Sequence, residues 1–245
     1  MILINKLIEV LGCMSRVKVD YTNSGNVFIG LLLISIIAFW PTYYSVFFSS
    51  DFYIHLHAFF AVLWFGMLIV QPYLIKSRKL NIHRLIGKVS YIIAPLVVIS
   101  ILLLAHESIK YAPEEVMPIR IYILYLQLSL AFLFGVIYLF AIYFRKTKAI
   151  HSRFMAATAL TFVDPIFARL LFIIAPNATF NRQWITFGLI NLILIILSVI
   201  DRKNRKTKWV YPILLLIFII IEIPIFFDLT GQDWWQAFAT WFGSL

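Results

Sequence analysis

The chain has 245 residues, of which 62% are hydrophobic and only 13% are charged, and its formal net charge is +10. A soluble domain is about half apolar and about one-quarter charged, so this composition excludes an ordinary water-soluble globular protein. The basic residues lie in short clusters between apolar runs, which is typical of loops at a membrane surface and argues against nucleic-acid binding. Because Cys13 is the single cysteine, an internal disulfide and any site built on several cysteines are excluded.

The chain begins with a short segment that precedes any long apolar run. Residues 1–18 mix apolar and charged side chains and are predicted to lie as an amphipathic segment on the inner membrane surface, within a cytoplasmic N-terminal region of residues 1–25. Seven apolar runs follow, and each has roughly the 20 residues needed to cross about 30 Å of hydrocarbon. They are Asn26–Phe48, Phe52–Ile75, Lys88–His106, Ile121–Phe144, Phe154–Ala175, Gln183–Ile200 and Trp209–Phe227. The expected fold is an all-α polytopic transmembrane bundle of about seven spans over residues 26–227, followed by an outer interfacial tail, residues 228–245.

Basic residues are distributed unequally between the two sets of loops. Seventeen of the 21 lysines and arginines lie in the N-terminal segment and in the loops Lys76–Lys88, Arg145–Arg153 and Asp201–Lys208. The opposite loops hold only three, which are Lys110, Arg120 and Arg182. Because short cytoplasmic loops are enriched in lysine and arginine, we predict that the N-terminus lies inside and the C-terminus outside.

Four ionisable side chains fall inside the apolar runs, where an unpaired charge costs several kcal/mol. Asp164 lies near the middle of the fifth run, and Arg169 follows it by five residues. Glu222 and His57 each lie about 7 Å below the outer end of their runs, at 1.5 Å per residue. His57 also begins a helical stripe, at steps of three and four residues, that ends at Gln71.

Two interpretations of the outer polar residues are open. In the first, an outward-facing cavity binds a metal, a haem or a polar ligand through His57, His106, Arg169 and Glu222. In the second, the same residues form the interhelical hydrogen bonds and ion pairs that hold the bundle together. His55 joins His57 and His106 as a candidate metal ligand, although His55 and His57 are about 200° apart on a regular helix and cannot both face one ligand. For Asp164 we favour a helix-packing role beside Pro165, which can kink its helix.

A second polar group lies at the inner edge of the predicted bundle. His83 and Arg84 precede the third run, and His151 precedes the fifth. Basic residues are common at cytoplasmic helix ends, which is the ordinary interpretation. Alternatively, His83 and His151 meet and bind a metal or a haem. Neutral imidazole is the commonest metal ligand, and two histidines on facing helices are the minimal ligand set of a haem. Arg84 would then hold a haem propionate or an anionic lipid headgroup.

Two stretches of the sequence share an order of motifs with a known family. The first runs from His55-Leu56-His57-Ala58 through Trp64 and Gln71-Pro72 to His83-Arg84-Leu85-Ile86-Gly87-Lys88-Val89. The second runs from His151-Ser152-Arg153-Phe154-Met155 through Leu160-Thr161-Phe162 to Arg169. Here the chain resembles an uncharacterised family of predicted bacterial multi-pass membrane proteins with a His-Arg-x-x-Gly loop and a His-x-x-x-Met helix.

The resemblance implies a multi-pass protein of the bacterial inner (cytoplasmic) membrane, but it supplies no activity. Its histidine pattern is distantly analogous to that of b-type cytochromes. The positions that it marks as candidates are His57 or His55, His83, Arg84, Gly87, His151, Met155 and Arg169.

The sequence supports two functional hypotheses. In the first, the chain is a redox or cofactor protein that binds haem b or a transition metal, and the pairs to test are His83 with His151 and His57 with His106. In the second, it is a non-enzymatic transporter, small-ligand-binding or assembly protein without a cofactor. Its internal polar path would then use Asp164, Arg169 and Glu222. No P-loop or G-x-S-x-G pattern occurs, and enzyme activity stays undecided. Membrane lipids are the expected partners, with a redox or assembly protein as a further candidate.

Overall fold

The computed structural model describes residues 21–177, 179 and 181–245, and every regular element within them is a helix. The predicted amphipathic segment at residues 1–18 lies outside the described residues. The helices, in chain order, are α1 (Ser24–Phe39), α2 (Phe52–Lys76), α3 (Leu80–Lys110), α4 (Met117–Tyr143), α5 (Lys148–Ala157), α6 (Leu160–Ile174), α7 (Arg182–Asp201), α8 (Val210–Phe226) and α9 (Asp233–Ser244).

Five helical segments are long and apolar enough to cross a membrane. They are α2, α3, α4 with the turn before it, α5 and α6 taken together, and α7. The remaining two predicted runs contain shorter apolar helices, α1 with 16 residues and α8 with 17. The prediction of an all-helical protein is therefore confirmed for the described part of the chain, and five of its helical segments are long and apolar enough to span a membrane.

The helix boundaries differ most from the predicted runs at three places. The first run was expected to reach Phe48, but α1 ends at Phe39 and a short 3-10 helix, Tyr44–Ser49, follows. Pro41 explains this end, because proline lacks the backbone N–H and its ring clashes with the preceding helical turn. Conversely, α3 and α5 begin before the apolar runs do. Long basic side chains at a helix end extend toward water, so the backbone can stay helical through a charged segment.

As a result, three candidate site residues that the sequence placed in loops lie on helices. His83 and Arg84 occupy the first turns of α3, and His151 occupies the first turn of α5. Their side chains therefore project from rigid backbone at the end of the bundle where α2 ends and where α3 and α5 begin.

The helices pack mainly against their neighbours in sequence, and α6 also contacts α1. Trp64 of α2 is fully buried at the centre of one core, where its ring meets Phe134 and Tyr138 of α4 edge-to-face at 4.9 and 5.5 Å between centroids. The Trp64 Nε1 donates to Thr158 Oγ1 at 3.0 Å, at the short break between α5 and α6. This hydrogen bond ties α2 to the middle of the α5–α6 segment.

The tail that was predicted to lie along the outer interface contains α9, which packs on α3 and α4. Trp235 is buried and its Nε1 donates to the carbonyl of Ile121 at 3.1 Å, whereas Trp234 and Trp241 are more than half exposed. An amphipathic helix with outward tryptophans is the arrangement expected at a membrane–water boundary.

Candidate functional site

Ionisable side chains from three helices are electrostatically coupled inside the bundle. His57 lies on the second turn of α2, and its charge interacts with that of Arg169 on α6. Arg169 interacts in turn with Asp164 on the same helix, and Asp164 interacts with Glu222 of α8. These four residues form a series of coupled charges that runs from α2 to α8, which we call the polar network.

At the first member of the polar network, His57 hydrogen-bonds to α3. The Ser100 hydroxyl donates to the carbonyl of Val97 at 2.8 Å, so its oxygen accepts from His57 Nδ1 at 3.1 Å. With the proton on Nδ1, the Nε2 atom of the imidazole carries a lone pair. His57 is therefore set up to accept a proton or a hydrogen bond through Nε2.

Arg169, the next member, does not pair side by side with Asp164. Its Nη1 donates to the carbonyl of Pro165 at 3.2 Å, and its guanidinium lies 4.3 Å from the centre of the Phe39 ring of α1. A guanidinium over an aromatic face is stabilised by the ring quadrupole. The backbone carbonyl and the aromatic ring thus hold a positive charge between the histidine and the two carboxyl groups.

Asp164 is 3% exposed and is held tightly by α7. Its Oδ1 accepts from Gln183 Nε2 and from Thr186 Oγ1, both at 2.5 Å. Gln183 is the second residue of α7, so the carboxyl group lies near the positive end of that helix dipole. The packing role that we favoured for Asp164 is compatible with these bonds, which join α6 to α7.

Glu222 is 2% exposed, and only one of its two carboxyl oxygens has a hydrogen-bond partner. Its Oε2 accepts from Asn191 Nδ2 of α7 at 2.7 Å, whereas its Oε1 is buried without a hydrogen-bond partner. Glu222 and Asp164 line the same small cavity, which has a volume of about 20 Å³. A cavity of about 10–15 Å³ holds one water molecule, so this one has room for little more than that.

Comparison with known proteins adds no function to this geometry. No protein-family model, curated protein or solved structure matches the chain. The family resemblance therefore rests on the residues that carry it.

The inner histidines are near each other. The charges of His83 and His151 interact, and Arg84 also acts on His83. The His151 Nδ1 donates to the carbonyl of Ala141 at 2.8 Å, which leaves a lone pair on its Nε2. The Nδ1 of His83 is buried without a hydrogen-bond partner, while the His83 carbonyl accepts from Gln71 Nε2 at 3.3 Å. The geometry leaves one nitrogen of each imidazole available.

Two further positions suggested by the family resemblance, Gly87 and Met155, are described by their packing contacts alone. A Cβ added at Gly87 would lie 3.8 Å from Gln71 Nε2, which is an ordinary contact, so nothing there requires glycine. Met155 is partly buried and packs against both large apolar cores.

The outer histidines are not brought together. His55 hydrogen-bonds to the hydroxyl of Tyr43 at 3.0 Å, whereas His106 packs edge-to-face on Phe242 of α9. His106 lies six residues beyond Ser100, the partner of His57, and six residues turn a helix by about 240°. His57 and His106 therefore face different parts of the bundle. Across the described residues, no three His, Cys, Asp or Glu side chains come close enough to hold a metal ion.

Sequence reasoning missed the hydrogen-bond partners of the polar network. Ser100 of α3 holds His57, and three residues of α7 hold the two carboxyl groups, namely Gln183, Thr186 and Asn191. A signal for them exists, because polar side chains that interrupt an apolar span usually bond across helices.

It also missed a buried ion pair, because it placed both partners in cytoplasmic loops. Arg153 of α5 donates from Nε and Nη2 to the carboxylate of Asp201 at the end of α7, at 2.7 and 2.5 Å. Both side chains are 7% exposed, and the guanidinium also lies 5.1 Å from the centre of the Tyr21 ring. Arg153 and Asp201 therefore belong to the interior of the bundle.

Proposed function

We propose that the chain is a membrane transport protein that conducts protons along its polar network (His57, Arg169, Asp164 and Glu222). The observation that carries the proposal is the electrostatic coupling of four ionisable side chains from three helices inside the bundle. Ionisable groups within transmembrane segments are costly and commonly mark proton or ion pathways. The cavity that both carboxyl-bearing residues help to line has about the volume of one water molecule, so it is too small for an organic solute.

A flux measurement tests this proposal. The purified protein is reconstituted in liposomes that contain a pH-sensitive dye, and a potassium diffusion potential is imposed to drive protons inward. We expect proton uptake well above that of empty liposomes, with at least a tenfold loss in Glu222→Gln and in Arg169→Gln. Glu115→Gln serves as the matched control, because Glu115 is exposed in the 3-10 turn before α4. Uptake equal to that of empty liposomes, with either sign of the potential, would overturn the proposal.

We further propose seven spans in the inner membrane of a bacterium, with the N-terminus inside and the C-terminus outside. The support is the concentration of basic residues in alternate loops. In a Cys13→Ser background, an impermeant thiol reagent should label Gln232→Cys in intact cells. It should label Ser77→Cys only after the cells are opened, since both positions are exposed at opposite ends of the bundle. The reverse labelling pattern would contradict the orientation.

A second candidate function is histidine-ligated haem b binding at the inner end of the bundle. It is favoured by the proximity of His83 and His151 and by the free nitrogen on each imidazole. Such a pair would supply the two protein ligands of a b-type haem, and Arg84 beside it would hold a propionate. The haem would supply one-electron chemistry, while the two helices would fix the imidazoles.

Absorption spectra decide this second candidate. Protein expressed with haem and metals available is purified, its spectrum is recorded oxidised and dithionite-reduced, and its metal content is measured on the same sample. A Soret band that shifts on reduction and is lost in both His83→Ala and His151→Ala, but not in His55→Ala, would establish the site. A spectrum without haem, from a sample without stoichiometric metal, would remove this candidate.

A further inference from the structure

The two carboxyl groups of the polar network differ in their surroundings. We propose that Glu222 is the side chain that binds and releases the conducted proton, while Asp164 stays ionised as a fixed charge. This inference rests on the proposed proton conduction and assigns its binding site. It follows from the hydrogen bonds at each carboxyl group, from the burial of Glu222 and from the balance of charge.

Asp164 has the surroundings of a permanent carboxylate. Its Oδ1 accepts two hydrogen bonds at 2.5 Å from α7, and it lies beside the first turn of that helix, where the dipole is positive. The positive charge of Arg169 acts on it as well. Burial of Asp164 opposes its charge, whereas hydrogen bonds to a carboxylate and a nearby cation both favour the ionised form.

Glu222 has the surroundings of a neutral acid at rest. It receives one hydrogen bond, from Asn191, and its buried Oε1 has no donor. The charges of Arg169 and Asp164 balance each other, so a second carboxylate would stand uncompensated among apolar side chains such as Leu133, Ile190 and Phe218. A proton on Oε1 removes that charge and turns the unpartnered acceptor into a donor.

The remaining groups around Glu222 do not change this assignment. The hydroxyl of Tyr125 on α4 donates to the carbonyl of Ile221 at 2.7 Å, so its proton is already used. Ser129 on α4 lines the cavity and carries no charge. His57 lies beyond Arg169, and a second cation there would be repelled, so we assign it as a neutral imidazole.

Glu222 releases its proton to a water molecule. A cavity of about 20 Å³, lined in part by Glu222 and Asp164, is large enough for one water molecule. In the release step, the O–H bond of the Glu222 carboxyl breaks and its proton forms a new O–H bond on a water molecule. The products are a carboxylate and a hydronium ion, and the total charge is unchanged. Recapture of a proton from water restores the neutral acid.

Infrared difference spectroscopy of the whole protein in lipid nanodiscs tests the assignment without any transport assay. We expect the carbonyl-stretch band of a buried carboxylic acid at neutral pH, and its loss at alkaline pH. The band should be missing in Glu222→Gln and present in Asp164→Asn and in the exposed control Glu115→Gln. Because either network variant could fail to fold, wild-type protein is also labelled with ¹³C-glutamate or ¹³C-aspartate, and only the glutamate label should shift the band.

Three results would overturn the inference. The first is a wild-type spectrum without such a band from mildly acid to alkaline pH. The second is a band that shifts with the aspartate label, which would make Asp164 the proton carrier. The third is loss of the band on adding Na⁺ at constant pH, which would make the site a cation site. A glutamate band in a protein that shows no proton flux would keep this assignment and refute only the proposed conduction.

Discussion

Removing one partner of the buried ion pair between Arg153 and Asp201 should destabilise the protein severely. In Asp201→Ala the guanidinium keeps its 2.6 Å bond to the carbonyl of Ala149 but loses both bonds to the carboxylate. Because each side chain is 7% exposed, little water can replace the lost partner. Breaking a buried pair in this way costs about 3–5 kcal/mol, which is a hundredfold or greater rise in the unfolding equilibrium constant.

The measurement is reversible unfolding in mixed micelles by titration with SDS, followed by tryptophan fluorescence. Two controls separate the unpaired charge from other effects. Lys203→Ala, at an exposed position, should change the free energy of unfolding by less than about 0.5 kcal/mol. The double variant Arg153→Met/Asp201→Leu removes both charges and should be within about 1 kcal/mol of wild type. A cost below about 1 kcal/mol for Asp201→Ala, or a double variant as unstable as the single one, would refute the reasoning.

Two further predictions concern packing. Gly25→Ala should destabilise the contact of α1 with α2 by about 1–3 kcal/mol, because the new Cβ would lie 2.9 Å from the Tyr73 ring and 3.0 Å from the backbone oxygen of Ile69. Gly30→Ala on the same helix meets nothing within 4 Å and should be neutral or stabilising, so equal effects in the same SDS titration would contradict the packing argument. Trp64→Phe should cost about 1–3 kcal/mol, since it removes the hydrogen bond to Thr158 and leaves a gap around a fully buried ring. The exposed Trp184→Phe is its control, and a smaller loss in Trp64→Phe than in that control would be the contrary result.

The helices themselves could be predicted because lipid-facing and buried positions are both apolar, so hydropathy marks each of them. The N-terminal ends of α3 and α5 could not be placed in the same way. Hydropathy is low on the N-terminal side of Lys88 and of Phe154, whereas the helical hydrogen bonding continues through these segments. The end of α1 is the opposite case. There the apolar run continues past Pro41, but the helix does not.

The polar residues could be located from the sequence, but their partners could not. His57 bonds to a residue 43 positions away, and Arg153 bonds to one 48 positions away. Such pairs depend on which helices touch and on how each helix is rotated, and neither is encoded in the hydropathy of a single run. The histidine pairs show the same limit. The inner pair His83 and His151 adjoins, whereas His57 and His106 face different parts of the bundle.

The presence or absence of a hydrogen-bond partner distinguishes structural from functional candidates among the buried polar groups of this bundle. Trp64 with Thr158, and Ser90 with Tyr138, are paired directly between helices and need nothing more. Buried polar atoms without a partner are rare and costly in proteins, so each needs an explanation, such as an ordered water molecule or a functional role. Two hydrogen-bonded pairs of residues carry such atoms on both members: Gln71 with His83, and Asn191 with Glu222. The first pair lies at the candidate haem site and the second at the proposed proton site, which is why these are the two places where chemistry is proposed.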